Sequence, residues 1–273
     1  MVFAMKKSEF RLFRKIFPLI LFCVALMGFL FETGQAVQTV NFHADLFENR
    51  GRYRDKTIVL DPGHGGEDGG AVGVNGAYEK DINLAVALLL EQKLEAAGFQ
   101  IIMTRDTDTL IGDTALPSIS QRKRSDTLKR FEIASEYPDA LFVSIHQNYF
   151  TQSKYHGAQV FYSGNHQDSS RLAEMIRSSI VESTQPENTR QNKQAEKNIY
   201  ILYHLEIPAV LVECGFLTNQ EEAQKLVRED YQQQLADAIY NGILRYYETD
   251  TKPSGPEENS AEGDSKENSA SLG

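Results

Sequence analysis

Two histidines and two glutamates hold most of the chemistry this sequence can offer. His64 follows Asp61-Pro62-Gly63 within Thr57–Ala71, Glu79 begins Glu79-Lys80-Asp81, His146 follows Leu141–Ile145, and Glu213 follows Val210–Val212. Two imidazoles and a carboxylate are a donor set that suits zinc, and a catalytic zinc keeps its fourth position for water. A second carboxylate, not bound to the metal, is then needed to take the water's proton. The count fits with His64, Glu79 and His146 as ligands and Glu213 as base. Each residue alone also has a plainer reading. A histidine at a strand end can be a capped surface group, and Glu79 can simply complement the positive end of a helix. The glycine-rich loop can be a turn or an anion nest; its spacing matches neither the dinucleotide nor the P-loop fingerprint.

These groups meet only if the surrounding elements bring them together. Ile58-Val59-Leu60 reads as a buried strand that Asp61-Pro62-Gly63 stops, which leaves His64 just past its carboxyl end. Open α/β sheets hold ligands there. Ile82, Ala85, Val86, Leu89, Leu90 and Leu94 recur at helical spacing between Lys80 and Ala97, with Gly98 as the stop. Phe99–Thr104 is a second strand, so the unit is a right-handed parallel crossover. After a loop over Asp106–Ser118, a polar helix is expected from Ile119 to about Glu136, with Leu128 and Phe131 facing inward. Further strands are expected at Ala140–Ile145, Gly157–Tyr162, Ile199–Leu202 and Ala209–Glu213. Helices are expected after Asp168 or Ser169, after Asn219, and across Leu235, Ala238, Ile239, Gly242, Ile243 and Tyr246. Gln185–Asn198 is polar and reads either as a surface loop near the substrate or as a solvated connection. If the strands are parallel, the four polar groups converge on one rim of the sheet.

The 273 residues are 41% hydrophobic and 24% charged, the balance of an ordinary globular protein. The net charge of −10 lies in the middle of the chain, because a basic start (Lys6, Lys7, Arg11, Arg14, Lys15) offsets an acidic end. An acidic domain without a basic stripe argues against a nucleic-acid partner. The basic start precedes an apolar run from Ile16 to Phe31, and Gly34-Gln35-Ala36 offers a small-x-small cleavage site. Residues 1–36 are thus a signal peptide or an N-terminal membrane anchor, and the protein is expected to be exported across the cytoplasmic membrane. Residues 37–56 read as a spacer, 57–248 as the catalytic domain, and 249–273 as a disordered acidic tail. With Cys23 inside the leader, only Cys214 follows it, so no internal disulfide is expected in the processed chain.

Four blocks together name a family. Asp61-Pro62-Gly63-His64-Gly65-Gly66, Glu79-Lys80-Asp81, Ser144-Ile145-His146-Gln147-Asn148 and Pro208 to Asn219 resemble, in order, the zinc-dependent N-acetylmuramoyl-L-alanine amidases. The resemblance runs from about Thr57 to Tyr247. It implies Zn2+ held by His64, Glu79 and His146, with Glu213 as the catalytic carboxylate. It also implies a single α/β domain, a six-stranded mostly parallel sheet flanked by helices in a phosphorylase/hydrolase-like three-layer arrangement. The reaction implied is cleavage of the amide between N-acetylmuramic acid and L-alanine in peptidoglycan. The short chain, Asn188-Thr189-Arg190 and Gly242 to Tyr246 resemble the germination-type, spore-cortex branch, whose members clear stem peptides so that muramic δ-lactam forms. Gln147 and Tyr149 stand where the family usually has small residues. Cys214, next to Glu213 on a strand, should face the core, and Arg122 should serve a structural ion pair. His156, His166 and His204 match no motif. The rival readings are a zinc exopeptidase of similar fold and a non-catalytic wall-binding protein; any activating partner is left unnamed.

Overall fold

The computed structural model describes residues 51–250. The leader, most of the spacer and nearly all of the expected acidic tail lie outside them. Ile58-Val59-Leu60 forms the heart of β1 (Thr57–Pro62), and all three are fully buried. Ile58 and Leu60 enter one apolar cluster and Val59 the other, so this strand is covered on both faces. The other elements are α1 (Glu79–Ala97), β2 (Gln100–Met103), α2 (Ile119–Ser135), β3 (Leu141–Asn148), β4 (Gln159–Tyr162) and α3 (Ser169–Ser183). They continue as β5 (Lys193–Gln194), α4 (Tyr200–His204), β6 (Ala209–Phe216), α5 (Gln220–Leu226) and α6 (Glu229–Asp250). The sheet order is β2-β1-β3-β6-β4-β5. β2, β1, β3 and β6 pair in parallel, and β4 runs antiparallel to β6. This is the expected six-stranded, mostly parallel sheet between two helical layers. Helices α1, α3 and α6 supply the larger apolar cluster on one face, and α2 and α4 cover the other.

The two helices that frame the site end where their sequences say they should. α1 buries Ile82, Val86, Leu90 and Leu94 at full or near-full depth, and Gly98 closes it at φ 101°. α2 starts in a reciprocal capping box between Ser118 and Gln121. Three expectations need correction. Ile199–Leu202 is not a strand; Ile199 precedes and Tyr200–Leu202 open the one-turn helix α4, because a short apolar run is ambiguous between the two periods. The sixth strand is instead β5, two polar residues inside the stretch read as a loop. Of Leu128 and Phe131 only Phe131 packs, half-buried, against an apolar cluster, and the buried positions of α2 are Asp126, Arg130 and Ala134.

That last correction exposes a buried polar knot under the site. Asp61 accepts from Thr104 Oγ1 at 2.7 Å, Ser144 Oγ at 2.6 Å and Arg130 Nη1 at 2.6 Å, and it is 1% exposed. Arg130 also binds Asp126 through Nε at 2.6 Å. Burial alone would raise the Asp61 carboxyl, but Arg130 and the Ser144 and Thr104 hydroxyls hold it below the usual range. A depressed folded pKa adds stability that is present above the unfolded value of about 4 and is lost as pH falls through the folded one. Replacing Arg130 leaves two buried carboxylates uncompensated. Arg130→Met is therefore expected to cost about 3–5 kcal/mol in urea unfolding at neutral pH. Its deficit should shrink as the pH drops below about 4. A variant as stable as the parent at neutral pH would show that this knot carries no stability.

The spacer's last residues join the folded unit. Tyr53 is 2% exposed and stacks on Phe99 with ring centroids 4.4 Å apart. Gln185 and Asn188, in the expected surface connection, are buried and tie down the start of β4. Gln185 Oε1 accepts from Ala158 N at 2.7 Å, and Asn188 Nδ2 donates to Ala158 O at 2.9 Å.

Candidate metal centre

β1, β3 and β6 are neighbours, and their carboxyl ends carry the polar groups. His146 and Glu213 lie within β3 and β6 rather than just past them, since those strands run on to Asn148 and Phe216. The two residues are register partners on adjacent parallel strands, so their side chains share a face. His64 arrives from the loop after β1 with φ 63°, a left-handed backbone rare for a residue with a Cβ and common at functional sites. Two arginines and an asparagine hold that loop by its carbonyls. Arg130 Nη2 donates to His64 O at 2.6 Å, Arg105 Nη2 to Gly63 O at 3.0 Å, and Asn83 Nδ2 to Gly63 O at 3.1 Å. Glycine is required at position 63, where a Cβ would fall 2.1 Å from the His146 ring.

Glu79, the first residue of α1, reaches across to both imidazoles. Its Oε1 lies 3.2 Å from His64 Nε2 and 2.9 Å from His146 Nδ1. Backbone amides fix the carboxylate from both sides: Ala71 N donates to Oε2 at 2.8 Å and Gln147 N to Oε1 at 3.1 Å. One donor atom from each of His64, Glu79 and His146 lies within 4.8 Å of the others. A tetrahedral ion with bonds of about 2.1 Å needs donors spaced by about 3.4 Å, so small adjustments would close the set. The field at this point favours positive charge. Burial works against a charged His64, yet Asp68 and Glu79 push its pKa up to about 9. Burial would raise Glu79, but hydrogen bonds from His146 and His64 hold it well below the carboxylate range. His64 Nδ1 is paired with Asp68 Oδ2 at 2.9 Å, which orients the ring and leaves Nε2 for the centre.

Glu213 stands apart from this set. Its Oε2 is buried and has no hydrogen-bond partner among the described residues. Burial is the main cause that lifts its pKa to about 7, with Glu79 adding to it and His146, His64 and Arg190 opposing. An unpartnered carboxylate poised near neutrality is fit to accept and return a proton. It faces a cleft of about 330 Å³ that runs between α2 and α4 and is lined by His64, His146, Tyr200, Leu202 and Leu211 among others.

All four residues singled out in the sequence therefore come together, and the remaining expectations sort plainly. Cys214 is fully buried on the opposite face, where burial pushes its thiol up to about 12. Arg122 forms a two-pronged ion pair with Glu67. Sequence reading missed Asp68, Asn83, Arg105 and Arg130. Asn83, one turn after Glu79 on α1, and Arg130, one turn after Asp126 on α2, left a visible signal.

Comparisons with known proteins identify the family. A family model described as N-acetylmuramoyl-L-alanine amidase matches residues 58–245. The germination-specific N-acetylmuramoyl-L-alanine amidase of Bacillus subtilis is 38% identical over 192 residues, covering 70% of this chain and 80% of that protein. The CwlD amidase of Clostridioides difficile, solved in complex with the GerS lipoprotein, is 41% identical with a TM-score of 0.69, over 71% of this chain and 99% of that one. The amidase AmiC2 of Nostoc punctiforme is 32% identical with a TM-score of 0.60, over 72% of this chain and 99% of its own. The family match thus spans β1 through α6 and takes in every residue of the centre: this chain belongs to the N-acetylmuramoyl-L-alanine amidase family, as an enzyme of that activity.

Proposed function

We propose that the chain acts on peptidoglycan outside the cytoplasmic membrane, freeing stem peptides from muramic acid so that muramic δ-lactam can form in the spore cortex. The likeness to a germination-specific amidase supports the spore role. In this reading His64, Glu79 and His146 hold zinc, the metal that takes a mixed nitrogen and carboxylate set at four-coordinate sites. When bound, zinc supplies Lewis acidity for the amide carbonyl and makes a neutral-pH nucleophile of water. The chain's own residues do the rest. Glu213 takes a proton from the attacking water as its oxygen bonds to the lactyl carbonyl carbon. It then returns that proton to the alanine nitrogen, and the carbon–nitrogen bond breaks to release a free amine. Asp68 keeps His64 oriented, and Arg105, Arg130 and Asn83 keep the loop beneath it from shifting. The relative solved with a lipoprotein extends the proposal to a protein partner of that kind. Among the described residues no helix is long and apolar enough to cross a membrane.

The observation that carries this reading is the unpartnered Glu213 carboxylate in register beside His146, with His64 and Glu79 closing on the same point. It predicts a pH profile. Glu213 must be ionised to work, so kcat/KM should rise with pH through a midpoint no higher than about 7, because a bound dication can only pull the value down. A profile that falls across the neutral range would remove Glu213 from this role. The reaction itself is tested by incubating the zinc-loaded protein with purified peptidoglycan and weighing the released fragments. Peptides beginning with L-alanine are expected; shortened peptides still attached to sugar would make the protein a peptidase.

A further inference from the structure

The row of polar groups does not stop at Glu213. On β4, Gln159 faces Glu213 in antiparallel register, so the two side chains share one face of the sheet. Gln159 Oε1 accepts from Arg190 Nη2 at 2.5 Å, and the Arg190 guanidinium lies 4.8 Å from the centre of the Phe216 ring. That is the only side-chain hydrogen bond of Arg190 among the described residues, and its buried Nε has no partner. The backbone is pinned too, with Arg190 N donating to Asn188 Oδ1 at 3.0 Å. Burial weakens the basicity of this guanidinium, while Glu222, Glu213 and Tyr155 act against that loss. Arg190 is thus a fixed cation within electrostatic reach of the proton-transfer group, with donor capacity to spare.

Its position has a consequence for the substrate, resting on the amidase reading above. Glu213 hands its proton to the alanine nitrogen, so the leaving amine lies on the Glu213 side of the His64–Glu79–His146 centre. A peptide attached to that amine and extended over β6 toward β4 would meet Arg190, which is held beside Gln159. We propose that Arg190 is a specificity-determining residue that binds a carboxylate of the peptidyl leaving group. The surroundings favour such a cation: among the described residues Glu213 has no hydrogen-bond partner for its buried Oε2, Glu222 is held by backbone amides alone, and both would repel an acidic peptide. Arg122 and Lys123, on the α2 side, are already paired with Glu67 and Asp68. A planar guanidinium held by Gln159 and Phe216 is pre-set to meet a carboxylate.

The test uses two substrates for the zinc-loaded protein. One is a muramoyl-L-alanyl peptide whose second residue bears a free carboxylate; the other carries a carboxamide there. The parent enzyme should prefer the carboxylate by roughly tenfold to a hundredfold in kcat/KM, the range of a charge-assisted contact. In Arg190→Ala that ratio should fall to about one, and Arg190→Lys should restore part of it. A parent enzyme without preference would overturn the proposal. So would an Arg190→Ala variant that slows both substrates equally, which is what a purely structural arginine gives. If the parent releases no alanine-terminated peptide from either compound, it is the amidase reading that fails.

Discussion

Glu213→Gln is expected to lower turnover of muramoyl-peptides by about 10²–10⁴-fold, the usual share of a general acid–base group. The substitution keeps the shape of the side chain and removes only its ability to take a proton. Zinc content should stay at the parent level, because Glu213 is not among the residues that close on the centre. Stability should hold or rise. A carboxylate with a buried, unpartnered oxygen and a pKa lifted to about 7 is an unfavourable charge at neutral pH, and a neutral amide relieves it. The combination of intact fold, intact metal and lost turnover identifies a proton-transfer group. Single-turnover release of alanine-terminated peptides, read beside metal analysis, checks it. A Glu213→Gln enzyme with parental turnover would leave the mechanism without a base, and one that also lost its metal would make Glu213 a ligand.

Removing the metal should be more severe. Chelation is expected to reduce activity at least about a thousandfold, since the Lewis-acid contribution is worth several kcal/mol and each 1.36 kcal/mol is tenfold. Activity should return on adding zinc back. His64→Ala and His146→Ala should reproduce the loss without return at the same zinc concentration. The expectation rests on how the centre is built. Glu79 is held by the amides of Ala71 and Gln147, His64 by Asp68, and Gly63 leaves room for the His146 ring. Little of the site needs rearranging to accept an ion, so affinity should be high and zinc should raise the melting temperature in a concentration-dependent way. Full activity in protein shown to be metal-free would dismiss the role given to His64, Glu79 and His146.

The amino-acid sequence alone determined the strand–helix–strand unit around His64 and Glu79 and the two later strands that bear His146 and Glu213. Those features are local: aliphatic runs, helical spacing closed by Gly98, and short polar blocks at strand ends leave their mark in consecutive residues. It also settled that Cys214 faces away from the site, because alternation along a strand is a local rule. Tertiary structure decided what depends on distant partners. β4 runs antiparallel because it pairs with β6 rather than closing another crossover. Lys193-Gln194 becomes a strand only because the edge of β4 is open to it, and Tyr200 to Leu202 form a helical turn that buries Leu202 in the second apolar cluster. Asp126 and Arg130 are neighbours by helical spacing, but the Asp61–Arg130 and Gln159–Arg190 pairs join residues 69 and 31 positions apart, and no spacing rule could have brought them together. Four side chains could thus be named from their neighbours in sequence, while what holds and surrounds them had to wait for the fold, since hydrogen bonds and burial are properties of space rather than of order.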